Sequence, residues 1–369
     1  MNKQTQLLPS TILADVSEII IRSKQYLKKL DGKTILIAGA AGFLPSYFVH
    51  TLAYANVHLF KRGCQIICLD NFRTGVPERL LPWKGQSKVK FLTKDITKVA
   101  SIKGNVDFII HGASIASPTW YRKFPLETID VNFLGTRKLL ELAKDNKTKG
   151  FLYLSSSEIY GDPHKGYIPT DENYWGNVSP TGPRACYDES KRLAETLCMV
   201  YFHKFGVPIK IVRPFNIYGP GLRLDDGRVV PDFIKDALNK KQITIYSNGR
   251  VTRSFCYIAD AVVAMLMLLT KNIEGEVYNV GNDEEVTITQ LAKTVDMVSG
   301  NNVGVKYAKS KDKVYLKDNP HRRVPNLNKL KKTIDWNPQI KLADGLKRTF
   351  QFYKSGAFIS SGPMKGSER

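Results

Sequence analysis

The 369-residue chain predicts an α/β fold, a doubly wound parallel sheet with a smaller C-terminal lobe. Three observations carry that prediction. Short apolar runs alternate with helical stretches over the first 220 residues, the first run enters a helix through a glycine-bearing turn, and polar motifs recur where the runs end. Such alternation gives parallel strands joined by right-handed crossovers, with helices on both faces and ligands at the carboxyl ends of the strands.

Residues 11–31 read as an amphipathic helix, with Ile12, Leu13, Val16, Ile19, Ile20, Tyr26 and Leu27 mostly on one face, so residues 1–32 form a helical extension. In KTILIAGAAGFLPSYFVHTLAYA, Thr34 to Ala38 is a strand, and a turn and a helical period follow it. CQIICLD is the next strand and ends in Asp70. VKFLT, VDFIIHGAS, GFLYLSSS, IKIVRPFN and the later EVYNVG supply the others, with TIDVNFLGTRKLLELAKD and ESKRLAETLCMVYFHKFG as helices between them. The sheet domain is expected over 33–220. From 221 to 354 loops, short helices and a proline-punctuated segment predict a substrate-binding lobe interleaved with the sheet, and the small polar tail 355–369 is expected to be disordered.

Composition excludes several classes. With 43% hydrophobic and 24% charged residues the chain can bury a sizeable core. No apolar run approaches the ~20 residues that span a bilayer, and the N-terminus lacks a signal-peptide pattern, so a soluble cytoplasmic protein with no membrane partner is expected. The five cysteines form no CxxC pair, so neither a disulfide framework nor a metal site is expected. The net charge of +21 comes from scattered lysines without a nucleic-acid motif, which predicts a solvated basic surface with some attraction for small anions rather than nucleic acid.

Gly39-Ala-Ala-Gly42-Phe43-Leu44 follows a strand and opens a helix, where backbone N–H groups and the helix dipole favour a pyrophosphate. Asp70 adds a carboxylate that accepts from a ribose 2′-hydroxyl and repels a 2′-phosphate, which favours NAD over NADP. Asn71, Asp95, Ile96, Ala113, Ser114 and Asn132 complete the candidate cofactor set, with Asp95-Ile96 at the adenine. In GPRACYDESKRLAET, Tyr187 and Lys191 lie four apart at a helix start and share a face. Their spacing fits an exposed pair as well as a phenol activated by a cation. Bringing a phenol from ~10 to ~7 takes about 4 kcal/mol.

The glycine turn, Asp70, Asp95-Ile96, HGASIASP, SSSEIYG, Tyr187-x-x-x-Lys191 and RPFNIYGPG, in that order, resemble the extended short-chain dehydrogenase/reductases that act on nucleotide sugars. GDPHKGYIPTDENYWGNVSPTGPRACYDESKR, DDGRVV, TRSFCYIAD and DNPHRRVPN are similar to runs of the UDP-glucuronate decarboxylases (UDP-xylose synthases). Three departures stand out. Pro45 replaces a third glycine, Gly112 and Ile115 differ from the usual residues, and Asp130 stands where animal decarboxylases carry a lysine.

The resemblance implies a Rossmann fold, NAD, a UDP-sugar substrate and a homodimer through the Tyr187 helix and FLGTRKLLELAK. It implies that Tyr187 takes a proton from the sugar 4-hydroxyl, that Lys191 lowers the tyrosine's pKa and holds the nicotinamide ribose, and that Ser156 hydrogen-bonds the same hydroxyl. Glu158 and Arg253 are expected at the protonation step, and Ser157 is expected to orient the substrate. Tyr121, Asn216, Arg228, Tyr246, Arg253 and Arg323 match substrate positions, and Arg122 and Lys123 are further candidates for a sugar carboxylate. Since Ser157-Glu158 stands where a 4,6-dehydratase carries Asp-Glu, decarboxylation of UDP-glucuronate to UDP-xylose is the first expectation. A 4,6-dehydratase, a C4 epimerase and a UDP-apiose/xylose synthase are alternatives, and a non-catalytic basic binding protein is a remote one.

Overall fold

The computed structural model describes residues 8–99, 101, 102, 104–310 and 319–356, so the expected tail lies almost wholly outside the described residues. Seven parallel strands form the central sheet. In chain order the strands are β1 (Thr34–Ala38), β2 (Gln65–Asp70), β3 (Val89–Thr93), β4 (Phe108–His111), β5 (Gly150–Leu154), β6 (Ile209–Pro214), β7 (Ile217–Tyr218), β8 (Ile243–Ile245), β9 (Thr252–Ser254), β10 (Cys256–Tyr257) and β11 (Glu276–Val280). β12 (Glu285–Thr287), β13 (Val305–Tyr307) and β14 (Arg322–Arg323) follow. The sheet runs β11-β6-β5-β4-β1-β2-β3. The winding therefore reverses between β1 and β4, where a crevice opens at the carboxyl ends.

The helices are α1 (Ser10–Leu27), α2 (Phe43–His58), α3 (Pro118–Lys123), α4 (Pro125–Asp130), α5 (Thr136–Asn146), α6 (Ala185–Phe205), α7 (Val229–Leu238), α8 (Ile258–Thr270), α9 (Ile288–Ser299), α10 (Asn328–Ile334) and α11 (Leu342–Lys354). α4 runs into α5 through a π-helical segment, Val131–Gly135. The interior strands are apolar on both faces because helices cover both. α8 is buried almost all round, lying between the sheet and α1.

α1 ends at Leu27, and a 3₁₀ turn, Lys28–Leu30, completes the expected helix. Its inner face carries Val16 and Ile19 as expected, but also Asp15 and Ser23. β11 and α8 come from the segment assigned to the lobe, so residue 220 is no clean boundary between sheet and lobe. Two small sheets in the lobe, β13-β8 and β12-β9-β14, stand over the crevice. In the second, Arg323 pairs in register with Arg253. Among the described residues no helix is long and apolar enough to cross a membrane, and no His/Cys/Asp/Glu cluster could hold a metal.

Candidate active site

Two cavities meet in the crevice. A smaller one, about 250 Å³, is lined by Gly39, Gly42, Asp70, Asn71, Asp95, Ile96, Ala113 and Ser114 among others. The β1–α2 turn has little room for side chains: Gly39 has φ +75°, and a Cβ there would lie 2.7 Å from the Ala113 backbone. Asp70 accepts from Ala41 N at 2.9 Å and from Phe72 N at 2.7 Å. Burial raises its pKa against those bonds. Asn71 donates to Asp95 at 3.0 Å, and Asp95 accepts from Thr97 N at 2.9 Å. Ser114 Oγ is buried without a hydrogen-bond partner. A turn with little room for side chains, a carboxylate braced beside it and an unpartnered hydroxyl fit a dinucleotide.

The two sequence departures in this region answer each other. A Cβ on Gly112 would lie 2.6 Å from Pro45 Cγ, so the proline ring occupies the space a side chain at 112 would need. Asn132 lines neither cavity; it donates to Ser190 at 2.8 Å, one residue before Lys191. Asp130 lies at the smaller cavity, not at the larger one.

The larger cavity, about 400 Å³, shares Gly42, Gly112 and Ser114 with the first. Phe43, Leu44, Tyr121, Ser156, Ser157, Glu158, Tyr187, Lys191, Asn216, Arg228, Tyr246, Arg253 and Arg323 line it. Tyr187 and Lys191 are almost fully buried at the start of α6, which rules out an exposed surface pair. Burial pushes the Tyr187 phenol up to about 12, against its hydrogen bond with Ser156. Burial brings Lys191 down to about 7. Lys191 Nζ donates to Leu154 O at 2.8 Å and stands 5.9 Å from the Tyr187 ring centre. In the chain alone, burial therefore outweighs the expected pull of Lys191 on the phenol. Tyr121 stacks on Tyr187, with ring centres 5.2 Å apart.

Glu158 sits in a cationic cage. Arg184 and Arg323 both bind it, the latter through both terminal guanidinium nitrogens, with Nη2 at 2.6 Å from Oε2. Burial opposes ionisation, but the two arginines override it and hold the carboxyl far below its usual range. Arg323, expected with the substrate, is thus engaged by Glu158. Arg253 instead donates to the carbonyls of Thr252 at 2.7 Å and Pro320 at 2.6 Å, and burial lowers it to about 9. Arg184 was not singled out by the motif. Its signal was its place one helical turn before Tyr187. Asp188, 3.6 Å from Arg184 Nε, is raised to about 7 by burial and by Glu158.

Elsewhere on the lining Arg228 pairs with Asp226, and Asn216, at φ +42°, donates to Ser254 O at 2.8 Å. Tyr246 is partly exposed at the rim. Arg122 lines the cavity, whereas Lys123 does not and lies against the Trp120 and Phe124 rings.

Residues 35–281 match the model of the NAD dependent epimerase/dehydratase family. UDP-glucuronic acid decarboxylase 3 of Arabidopsis thaliana is 40% identical over 312 residues, 85% of this chain and 86% of that protein. UDP-glucuronic acid decarboxylase 1 of Xenopus tropicalis is 37% identical over 330 residues, 89% of this chain and 74% of that protein. Among solved structures, UDP-glucuronic acid 4-epimerase from Bacillus cereus in complex with NAD superposes with a TM-score of 0.73 at 28% identity, covering 87% of this chain and 99% of that one. The chain belongs to the NAD dependent epimerase/dehydratase family.

Proposed function

We propose that the protein decarboxylates UDP-glucuronate to UDP-xylose, with NAD recycled in each turnover. The charge of the larger cavity carries this reading. Seven arginines and one lysine face three carboxylates on its walls, which suits a ligand bearing both a diphosphate and a sugar carboxylate. The decarboxylase relatives support it, as does the single acid of Ser157-Glu158, since a dehydratase needs two groups there.

The turn residues Gly39 to Leu44, with Asp70, Asn71, Asp95, Ile96, Ala113 and Ser114, would hold NAD, and Lys191 would hold the nicotinamide ribose. When bound, NAD accepts and returns the hydride of sugar C4. Tyr187 takes the proton of the 4-hydroxyl, and Ser156, already at the Tyr187 hydroxyl, hydrogen-bonds the same oxygen. The ketone at C4 lies β to the carboxylate. The C5–C6 bond breaks, carbon dioxide leaves, and its electron pair moves into the ketone. A proton at C5, the returned hydride at C4 and the proton held by Tyr187 complete the xylose.

Glu158, kept ionised by two guanidinium groups, has no proton to give at neutral pH. It acts by holding Arg323 and Arg184 in place and by orienting a water toward C5. Arg228, Asn216 and Tyr246 serve the diphosphate and base end, Ser157 orients the sugar, and Arg253 stiffens the segment that carries Arg323. The same reading makes the protein a cytoplasmic homodimer through α5 and α6, where Leu193 and Val200 of α6 and Leu134 of the π-helical segment leading into α5 are 42–47% exposed.

The test is a substrate comparison. UDP-glucuronate should be consumed with release of carbon dioxide and UDP-glucose should not be dehydrated, both dependent on the Tyr187 hydroxyl. A 4-keto-6-deoxy product from a neutral nucleotide sugar would overturn the reading.

A further inference from the structure

The loop between β7 and α7, residues 219–228, carries Arg223, Asp226 and Arg228 into the larger cavity. Its base is tied down in an unusual way. Three consecutive carbonyls point inward, each to a side-chain donor from a different element. Pro220 O accepts from the Tyr47 hydroxyl of α2 at 3.1 Å, Gly221 O from Arg79 Nη2 at 2.6 Å, and Leu222 O from the Tyr353 hydroxyl of α11. All three donors are buried. Gly221, at φ +88°, supplies the left-handed backbone that such a reversal needs.

Arg79 does more than anchor the loop. Its other terminal nitrogen, Nη1, donates at 2.6 Å to the carbonyl of Ala41, inside the Gly39–Gly42 turn. The amide of that same Ala41 donates to Asp70. One planar guanidinium thus spans the turn that faces the smaller cavity and the loop that lines the larger one. Its five N–H groups are fixed in one plane, so a shift at either acceptor is felt at the other, and a lysine could not reach both. α1 joins the same assembly: Asp15 accepts from the Tyr47 hydroxyl at 3.2 Å and from Tyr257 at 2.9 Å, and Arg348 pairs with it at 3.2 Å.

We propose that Arg79 is a positioning residue that couples occupancy of the dinucleotide turn to the placement of loop 219–228, so that dinucleotide and nucleoside diphosphate bind cooperatively. The proposal rests on reading the larger cavity as the nucleotide-sugar site. It does not depend on which sugar is turned over.

The experiment titrates UDP into the full chain by calorimetry with and without saturating NAD. In the wild type, NAD should tighten UDP binding roughly five- to tenfold, a coupling in the ordinary range. Arg79→Lys should reduce that factor to below twofold. Tyr353→Phe frees the Leu222 carbonyl without touching the turn, so it should weaken UDP while keeping the factor. Independently of any variant, NAD should slow amide exchange over residues 219–228 in the wild type. A folded Arg79→Lys protein with undiminished coupling, a wild type without coupling, or loop exchange indifferent to NAD would each overturn the proposal. Coupling without turnover of UDP-glucuronate would leave it standing and overturn the proposed reaction instead.

Discussion

Gly112→Ala isolates the contact between Gly112, just after β4, and Pro45, on the first turn of α2. Gly112 is absent from the residues at positive φ, so alanine brings no backbone strain, only a Cβ. That Cβ would lie 2.6 Å from Pro45 Cγ and 3.0 Å from Leu154 Cδ1, where ordinary carbon contacts are about 3.5–4.0 Å. A proline ring at a fixed φ on the first turn of α2 cannot rotate away, so the overlap of about 1 Å should cost about 1–3 kcal/mol, as overpacked cores do. Urea unfolding reads that loss, and NAD affinity should fall with it because Gly112 lines the smaller cavity and Pro45 follows directly on the Gly39–Leu44 turn. Pro45→Gly alone should also destabilise, through lost packing and a freer backbone. The double variant should recover at least about 1 kcal/mol relative to the sum of the two. Wild-type stability in Gly112→Ala, or strict additivity in the double variant, would refute the reasoning.

Glu158→Gln keeps the shape and removes the charge shared by Arg184 and Arg323. It should cost about 2–3 kcal/mol in urea unfolding, since two confined guanidiniums lose their counter-ion, and should lower kcat at least about a hundredfold. Burial raises Asp15 from 3.8 to about 6, so the folded chain holds a proton there that the unfolded chain has lost. That contribution to stability is complete below about 4 and is lost as pH rises through 6. The advantage of wild type over Asp15→Asn should therefore shrink by up to about 3 kcal/mol between pH 4 and 7, and a constant gap contradicts the assignment. Leu193→Glu on the exposed face of α6 should yield monomers in sedimentation experiments with the fold intact, and an unchanged sedimentation coefficient would remove α6 from any interface.

The winding of the sheet and the line of motifs along its carboxyl edge were legible because each rests on local pattern. Apolar runs, a glycine turn at β1 and a Tyr-x-x-x-Lys spacing are short-range features. What the sequence hid depends on residues far apart. Pro45 and Gly112 read as two separate losses, yet they meet across the crevice and fit. Asp15 carried no signal in the sequence, because its partner Tyr257 is 242 residues away. Arg253 was expected beside Glu158 at the protonation step, and Arg323 only at the substrate. Pairing of β9 with β14 sets them side by side, and only one reaches Glu158. Helical spacing left the Tyr187–Lys191 pair open, and its activation was implied by the family resemblance, whereas burial, a property of the whole fold, dominates both groups in the chain alone.

The most direct measurement follows UDP-glucuronate labelled with carbon-13 at C6 through turnover by NMR. The account predicts that the label leaves wholly as carbon dioxide, one equivalent for each UDP-xylose formed, and that Tyr187→Phe abolishes both signals. Label retained in a UDP-sugar that still carries its carboxylate, as inversion at C4 would give, contradicts it.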